Sequence, residues 1–238
     1  MSPETVRALR AINERFYRTE AKLFASKRTR PWKGMERVLR ELSRPPRSVL
    51  DVGCGHGRFA AQLHAMGEAP DYTGVDGSAA LLELAAARTD VPASCHWREA
   101  DLEDDPGGLP EGPFDLVSLF GVLHHVPGEA RRLALLRYLG ERVAPGGTLA
   151  LAFWSTHGDI IERQRPWSEV GLRDADVEPG DRLLSFDRRP NVLRYAHFAD
   201  DEELARVEPA TGLPLALRFT SDGASQTGNA YFLWRRPE

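Results

Sequence analysis

The sequence predicts an α/β fold, a parallel sheet with helices on both faces. Three observations predict it. Short apolar runs alternate with helical stretches of about 10–15 residues between Ser48 and Trp154. The first run, "SVLDV", empties into the glycine-rich turn "GCGHG" before a helical stretch. The next two runs end on acids, Asp76 and Asp101.

The elements follow in order. From Glu4 to Lys27, apolar groups at Val6, Leu9, Ile12, Phe16, Leu23 and Phe24 keep a mostly helical spacing. "TRPW" breaks it, because the residue before proline disfavours the helical region. A second helix is predicted over Gly34–Leu42, ended by "SRPP". Then "SVLDVG" reads as a buried strand, "RFAAQLHAMG" as a helix, "YTGVDGS" as a strand and "AALLELAAAR" as a helix. "ASCHWREAD" gives a third strand and "PFDLVSLFGVLHHV" a fourth that runs out into a loop. "ARRLALLRYLGERV" is a helix with "APGG" as its glycine stop, and "TLALAFW" is the fifth strand. Residues 155–199 are polar and arginine-rich, and read as irregular. "DDEELARVEPATG" resumes as a helix, and "LALRFTSD" and "NAYFLWRR" close the chain as a strand pair.

Composition sets the class. With 238 residues, 42% hydrophobic and 28% charged, the chain suits one globular domain carrying an insertion. It has no apolar run of about 18 residues and no apolar signal core at its start. Its two cysteines give no disulfide framework, so a reducing, cytoplasmic setting is expected. The net charge of −4 hides an asymmetry: residues 1–47 hold 13 Lys/Arg against 5 Asp/Glu, and the remainder holds 18 against 30. A basic arm on an acidic body suits a polyanionic partner, and equally a solvated helix face.

The chemistry gathers at the strand ends, where ligands bind in an open parallel sheet. Gly53, Gly55 and Gly57 are spaced two apart, with Arg58 where a dinucleotide-binding loop would place its third glycine. The loop therefore suits close approach of a ligand but not a pyrophosphate fingerprint. Asp76 follows Gly57 by 19 positions, near the offset at which an acid binds ribose hydroxyls, and it also suits a helix N-cap. Asp101 can accept from an exocyclic amine, and Leu102 and Phe120 can sandwich a ring. His124 and His125 at the mouth are candidates for a general base or for a structural role. No spacing among Cys54, His56, His124 and His125 supports a metal site.

"LDVGCGHGRF", "GVDGS", "EADLED", "FDLVSLFGVLHHV" and "VAPGG", in this order, resemble the motifs of class I S-adenosylmethionine-dependent methyltransferases. The resemblance implies a Rossmann-like, seven-stranded, mostly parallel sheet whose last strand is antiparallel. It implies cofactor contacts at Asp51, Gly53, Gly55, Asp76, Asp101 and Leu102, to which the residues add Gly57 and Phe120. It divides the chain into a basic helical arm or lid, 1–47, and a methyltransferase domain, 48–238, with its substrate-side insertion at 155–199. The flanks "TRPW", "GDRLLSF", "RYAHF" and "GNAYFLWRR" resemble tRNA methyltransferases that esterify a carboxymethyl group on a wobble uridine. Phe186 and Ala196 stand where that group carries tryptophan and tyrosine.

On that resemblance tRNA is the expected substrate, and a small zinc-binding activator protein the expected partner. Arg194 is the candidate clamp for a carboxylate or phosphate, and Tyr195 and His197 are candidates to stack on or bond the uracil. Arg30 and Trp32 are candidates to close over the cofactor. Two competing readings stand beside this one. A small-molecule O-methyltransferase would need a base at His124 or His197. A cofactor-binding regulatory protein would transfer nothing.

Overall fold

A computed structural model describes residues 1–101, 108–154, 163–222 and 228–238. The first helix, α1, runs Pro3–Ser26. Ser2 caps it by accepting from the Thr5 N–H, and proline occupies the first turn, where an N–H would be orphaned anyway. Helix α2 covers Lys33–Glu41. The sheet core then alternates β1 (Ser48–Val52), α3 (Arg58–Ala65), β2 (Asp71–Asp76), α4 (Ala79–Ala86), β3 (His96–Glu99), β4 (Phe114–Phe120), α5 (Glu129–Gly140) and β5 (Val143–Trp154).

After β5 come β6 (Gln164–Arg165), β7 (Asp181–Phe186), β8 (Arg189–His197), α6 (Asp201–Val207), β9 (Leu215–Ser221) and β10 (Asn229–Arg235). The main sheet has seven strands in the order β3-β2-β1-β4-β5-β10-β9. Its first five strands are parallel, and β10 is antiparallel to both neighbours. Strand order reverses between β1 and β4, which opens a crevice at their C-terminal ends.

Successive residues of one strand point to opposite faces, and here both faces are buried. Val49, Leu116 and Leu233 pack with Phe59 and Leu63 of α3 and Val38 of α2. Leu50, Val117 and Phe232 pack with Leu136 and Leu139 of α5 and Leu204 of α6. Among the described residues no helix is long and apolar enough to cross a membrane.

Two expectations are corrected. "APGG" is not the stop of α5, which ends at Gly140; it lies inside β5, as an irregularity in its pairing with β4. Residues 155–199, expected to be irregular, carry in their described part a three-stranded antiparallel sheet, β6-β7-β8. Its β7–β8 turn is made by Asp187 and Arg188, at φ 53° and 59°. Both central residues of such a two-residue hairpin turn need positive φ, a signal usually carried by asparagine and glycine. With Asp-Arg in those places the sequence shows no hairpin.

Candidate active site

A cavity of about 590 Å³ fills the crevice at the switch point. Its wall on the sheet side begins with the glycine loop. Gly53, Gly55 and Gly57 all sit in the left-handed region, at φ 70°, 56° and 74°. They differ in surroundings. A Cβ on Gly53 would meet a Val122 methyl at 2.2 Å, and one on Gly57 the Trp97 ring at 2.8 Å, whereas one on Gly55 would meet nothing within 4 Å. Gly55 is thus the point where bare backbone faces the cavity, and its flanking glycines let the loop close.

Asp76 holds the loop in place. Its Oδ2 accepts from the Gly55 N–H at 2.8 Å and its Oδ1 from the Ser78 N–H at 2.9 Å. Beneath it Asp51 accepts from the Tyr72 hydroxyl at 2.5 Å and the Ser118 hydroxyl at 2.6 Å. Burial pushes each carboxyl up to about 6. Among the described residues neither acid has an ion-pair partner, so this wall favours a cation. Asp101 and Phe120 complete it: Arg10 of α1 donates to Asp101 at 2.5 Å, and Phe120 lies edge-on to Phe59 at 4.9 Å. Trp32 lines the same side, covered by the Arg58 guanidinium at 4.2 Å.

The opposite wall is cationic. Arg194 of β8 is 5% exposed and lines the cavity, with its guanidinium 5.0 Å from the Trp154 ring centroid. Its Nε has no hydrogen-bond partner. Arg28, just past the end of α1, stands between this wall and the glycine loop: it lies 3.8 Å over the Phe24 ring, and its backbone hydrogen-bonds His56 of the loop. Burial, then the charge of Arg194, brings Arg28 down to about 9.

Helix α1 roofs the cavity and joins the two walls. Ser78 donates to the Tyr17 carbonyl, and Asn13 accepts from the Tyr195 N–H at 2.8 Å. His125 joins them again. Its Nδ1 lies 2.9 Å from the Tyr195 carbonyl, which only accepts, so Nδ1 carries the proton and Nε2 accepts from the Tyr17 hydroxyl at 2.8 Å. Both ring nitrogens are engaged, and burial pushes His125 down to about 3. His124 stacks on Trp154 at 3.9 Å, and burial holds it well below the usual histidine range. Two neutral imidazoles are weak bases for removing a hydroxyl proton.

The cavity brings together Asp51, Gly53, Gly55, Asp76, Asp101, Phe120, Trp32, His124 and Arg194. Gly57 packs one step behind the wall against Trp97. Arg30 is exposed and is not part of the lining. Leu102 lies outside the described residues.

Tyr195 and His197 are corrected. On β8 they alternate with Arg194, so a strand that turns Arg194 into the cavity turns them away from it. The Tyr195 hydroxyl donates to Asp181, and His197 bonds Asp181 through Nδ1 at 2.8 Å and Glu203 through Nε2 at 2.6 Å. Arg132 of α5, 1% exposed, donates to Glu203 at 2.7 Å and Glu178 at 2.8 Å. The ligand-like group Glu178, Asp181 and His197 is therefore met by a built-in cation, the Arg132 guanidinium, and braces β7–β8 against the core. Sequence reading missed Asn13, Tyr17 and Arg28. Their signal was weak: α1 gives a helical stripe, but which of its polar residues face inward depends on β8, some 180 residues away.

Comparison with known proteins places the fold. Residues 49–147 match a family model described as "Methyltransferase domain". An uncharacterized methyltransferase of Mycobacterium tuberculosis is 43% identical over 108 residues, 45% of this chain and 51% of the relative. The mouse protein named "Probable tRNA methyltransferase 9B" is 27% identical over 158 residues, 65% of this chain and 32% of the relative. Trans-aconitate 2-methyltransferase of Streptomyces avermitilis is 32% identical over 126 residues, 53% and 46%. The chain spans about half the length of the mycobacterial relative and less of the others.

Among solved structures, one titled "DhpI-SAM-HEP complex" superposes with TM-score 0.66 at 21% identity, covering 97% of this chain and 98% of that one. A putative methyltransferase crystallised with the Haloferax volcanii Trm112 activator gives 0.65 at 16%, covering 94% and 97%.

Proposed function

We propose, for a chain whose residues 49–147 match a methyltransferase domain and whose fold is the class I methyltransferase fold, that it methylates a carboxylate from S-adenosylmethionine, giving the methyl ester. The observation that carries this reading is Arg194, a buried guanidinium with an unbonded Nε that lines the same cavity as the glycine loop. The cofactor fits the other wall. Gly55 offers open backbone, Asp76 has a carboxylate at the cavity to receive ribose hydroxyls, and the unpaired charges of Asp51 and Asp76 suit a cation. When bound, S-adenosylmethionine supplies an electrophilic methyl on a positively charged sulfur.

A carboxylate is already ionised at neutral pH, so transfer to it needs placement and no base. Arg194 can grip one carboxylate oxygen by a charge-assisted hydrogen bond and leave the other aimed across the cavity. Such positioning is worth up to about 7–11 kcal/mol. The reaction turns a cation and an anion into two neutral groups, so a cavity that excludes water favours it. An ionised carboxylate offers His124 and His125, both neutral, no proton to remove.

The carrier of the carboxylate is read as a modified wobble uridine of tRNA, with a small activator protein as partner. Similarity to "Probable tRNA methyltransferase 9B", and fold likeness to the protein held by the Trm112 activator, support this. A specific observation favours a second reading, a small organic acid, which the similarity to trans-aconitate 2-methyltransferase also supports. The basic arm spends much of its charge on the body: Arg10 pairs with Asp101, Lys27 with Asp187, and Arg44 and Arg47 with Asp115.

The test is incubation with methyl-labelled S-adenosylmethionine and, separately, total tRNA and a small-metabolite extract. Label released as methanol by mild alkali is expected, and the fraction holding it names the carrier. Alkali-stable label would overturn the ester, and no label in either fraction would favour a regulatory cofactor-binding protein.

A further inference from the structure

Helix α1 pairs all its acids and leaves three of its cations unpaired. Glu4 pairs with Arg7 at 3.1 Å, Glu14 lies 4.0 Å from Arg10, and Glu20 pairs with Arg189 of β8 at 2.6 Å. Arg15, Arg18 and Lys22 have no acidic partner among the described residues. Glu14 stands four residues before Arg18, the spacing of a helix ion pair, yet its carboxylate is turned to Arg10. The three cations are exposed and stand at i, i+3 and i+7, which puts them on one face of the helix. That face lies opposite the buried stripe of Leu9, Asn13 and Phe16. Arg18 also lines the cavity, so the row of charge reaches its mouth. Past the helix, Arg30 and Lys33 are again exposed and, among the described residues, without an acidic partner. In the chain they flank Trp32, which lines the cavity.

The row suits a phosphate backbone. From Arg15 to Lys22 the helix rises about 10 Å, and phosphates recur about every 3.4 Å along one strand of a duplex, so the row spans about three of them. A lipid surface suits it less. A helix lying on lipid sets large apolar residues against the membrane, whereas the outer face of α1 carries Ala8, Ala11, Thr19 and Ser26 around its cations. After residue 47 the chain holds 18 Lys/Arg against 30 Asp/Glu, so the body on balance repels a polyanion and the row gives its approach a direction. We propose that the outer face of α1 seats the backbone of an RNA acceptor, with Arg15, Arg18 and Lys22 on successive phosphates and Arg18 bringing the modified nucleotide to the cavity mouth. This rests on the reading of the carboxylate's carrier as a uridine of tRNA. The three residues select the carrier and take no part in methyl transfer.

The test is fluorescence anisotropy of a labelled anticodon stem-loop RNA, titrated with the intact chain saturated with S-adenosylhomocysteine at about 50 to 200 mM salt. Each phosphate contact adds about 0.7–0.9 to the slope of log affinity against log salt. The triple variant Arg15→Gln, Arg18→Gln, Lys22→Gln should therefore flatten the slope by about 2 to 3 and weaken binding at least tenfold at about 100 mM salt. Its thermal unfolding and its affinity for S-adenosylhomocysteine should not change, since the three side chains are exposed and unpaired. A control triple, Arg37→Gln, Arg40→Gln, Arg47→Gln, removes as much charge from side chains already paired on the body, and should keep both slope and affinity. Equal losses in the two triples would reduce the effect to net charge and overturn the inference. So would a wild-type protein that ignores the RNA, or one that binds phosphatidylserine vesicles in its place. RNA binding that needs the row, with alkali-labile label in neither fraction, upholds this inference and sinks the carboxylate reading. Label confined to the small-metabolite fraction, with no RNA binding, sinks this inference and leaves the ester standing.

Discussion

The two walls of the cavity are built by opposite means. The anionic wall is backbone and short side chains from the consecutive strand ends of β1, β2 and β3, with Asp51 fixed by hydroxyls of β2 and β4 and Asp76 by N–H groups of the loops that follow β1 and β2. The cationic wall is assembled from α1 and β8, far apart in sequence, and is held by buried side chains. The sheet wall inherits its rigidity from a core that must form anyway. The acceptor wall depends on contacts that serve it alone. The cofactor side of the cavity is therefore expected to tolerate damage to the acceptor side better than the reverse.

The largest test of that asymmetry is Arg132→Met. It leaves the buried Glu203 and the half-buried Glu178 without the Arg132 cation, Glu203 keeping only its bond to His197, and removing one partner of a buried pair costs about 3–5 kcal/mol. Urea denaturation should show a stability loss of that order. Limited proteolysis should cut the β7–β8 region before the β1–β5 sheet. Cutting in the reverse order would show that the acceptor wall is not the weaker one.

The glycine loop gives the next largest effect and splits within one motif. Gly53→Ala and Gly55→Ala both place an L-residue in left-handed backbone, a cost of about 1–2 kcal/mol. Gly53→Ala also drives a methyl into Val122, and such overpacking adds about 1–3 kcal/mol. Gly55→Ala has open space for its methyl, but that space is the cavity. Thermal unfolding should therefore rank Gly53→Ala as the less stable variant, while titration with S-adenosylmethionine should show that Gly55→Ala weakens cofactor binding with the fold intact.

The same asymmetry explains what the sequence discloses. Asp51, the three glycines and Asp76 are legible because each is tied to a strand end that hydrophobic pattern marks, and strand order brings the ends together. Asp101 is legible for the same reason. The acceptor wall is not. Period two on β8 decides which of Arg194, Tyr195 and His197 faces the cavity, and a hairpin turn of Asp187 and Arg188 conceals that β8 exists. Arg28 needs still more, the docking of α1 on β8 through Asn13 and Tyr17. Charge counting was also incomplete: the excess of cations in residues 1–47 is partly internal, spent on Asp101, Asp115 and Asp187.

A smaller effect separates the walls by function. Arg194→Gln removes one charge-assisted hydrogen bond to the acceptor, about 1.5–3 kcal/mol, or roughly 10- to 100-fold in kcat/KM for methyl transfer. The dissociation constant for S-adenosylmethionine should stay unchanged, since the rings that Arg194 approaches, Phe16, Trp154 and Phe186, lie outside the glycine loop. A parallel loss of cofactor affinity would mean that the walls are coupled through α1 and do not act separately.

The smallest effect is a pH dependence of the acceptor side above about pH 7, where the Asp51 and Asp76 carboxyls of the sheet wall, pushed up to about 6, have largely ionised. Burial opposes charge on His197, but hydrogen bonds to Asp181 and Glu203 outweigh it and raise its pKa above the ordinary 6.5. Its stabilising contribution is thus fully present below about pH 6.5 and is lost as pH rises through the raised, folded value. Glu203 behaves in the opposite sense. Burial opposes its charge, yet the bonds from His197 and Arg132 hold it below its ordinary 4.5, so its contribution is present above about pH 4.5 and lost as pH falls through the folded value. The network should be strongest between these limits. Each unit of pKa difference is worth about 1.4 kcal/mol, so one proton at one site gives a modest slope. Hydrogen exchange of the β7–β8 amides, followed from pH 7 to 9 and corrected for the intrinsic rate, should lose protection faster than the β1–β4 amides. His197→Gln, which keeps a hydrogen bond but cannot take the charge, should flatten that difference; an unchanged slope would place the titrating group elsewhere.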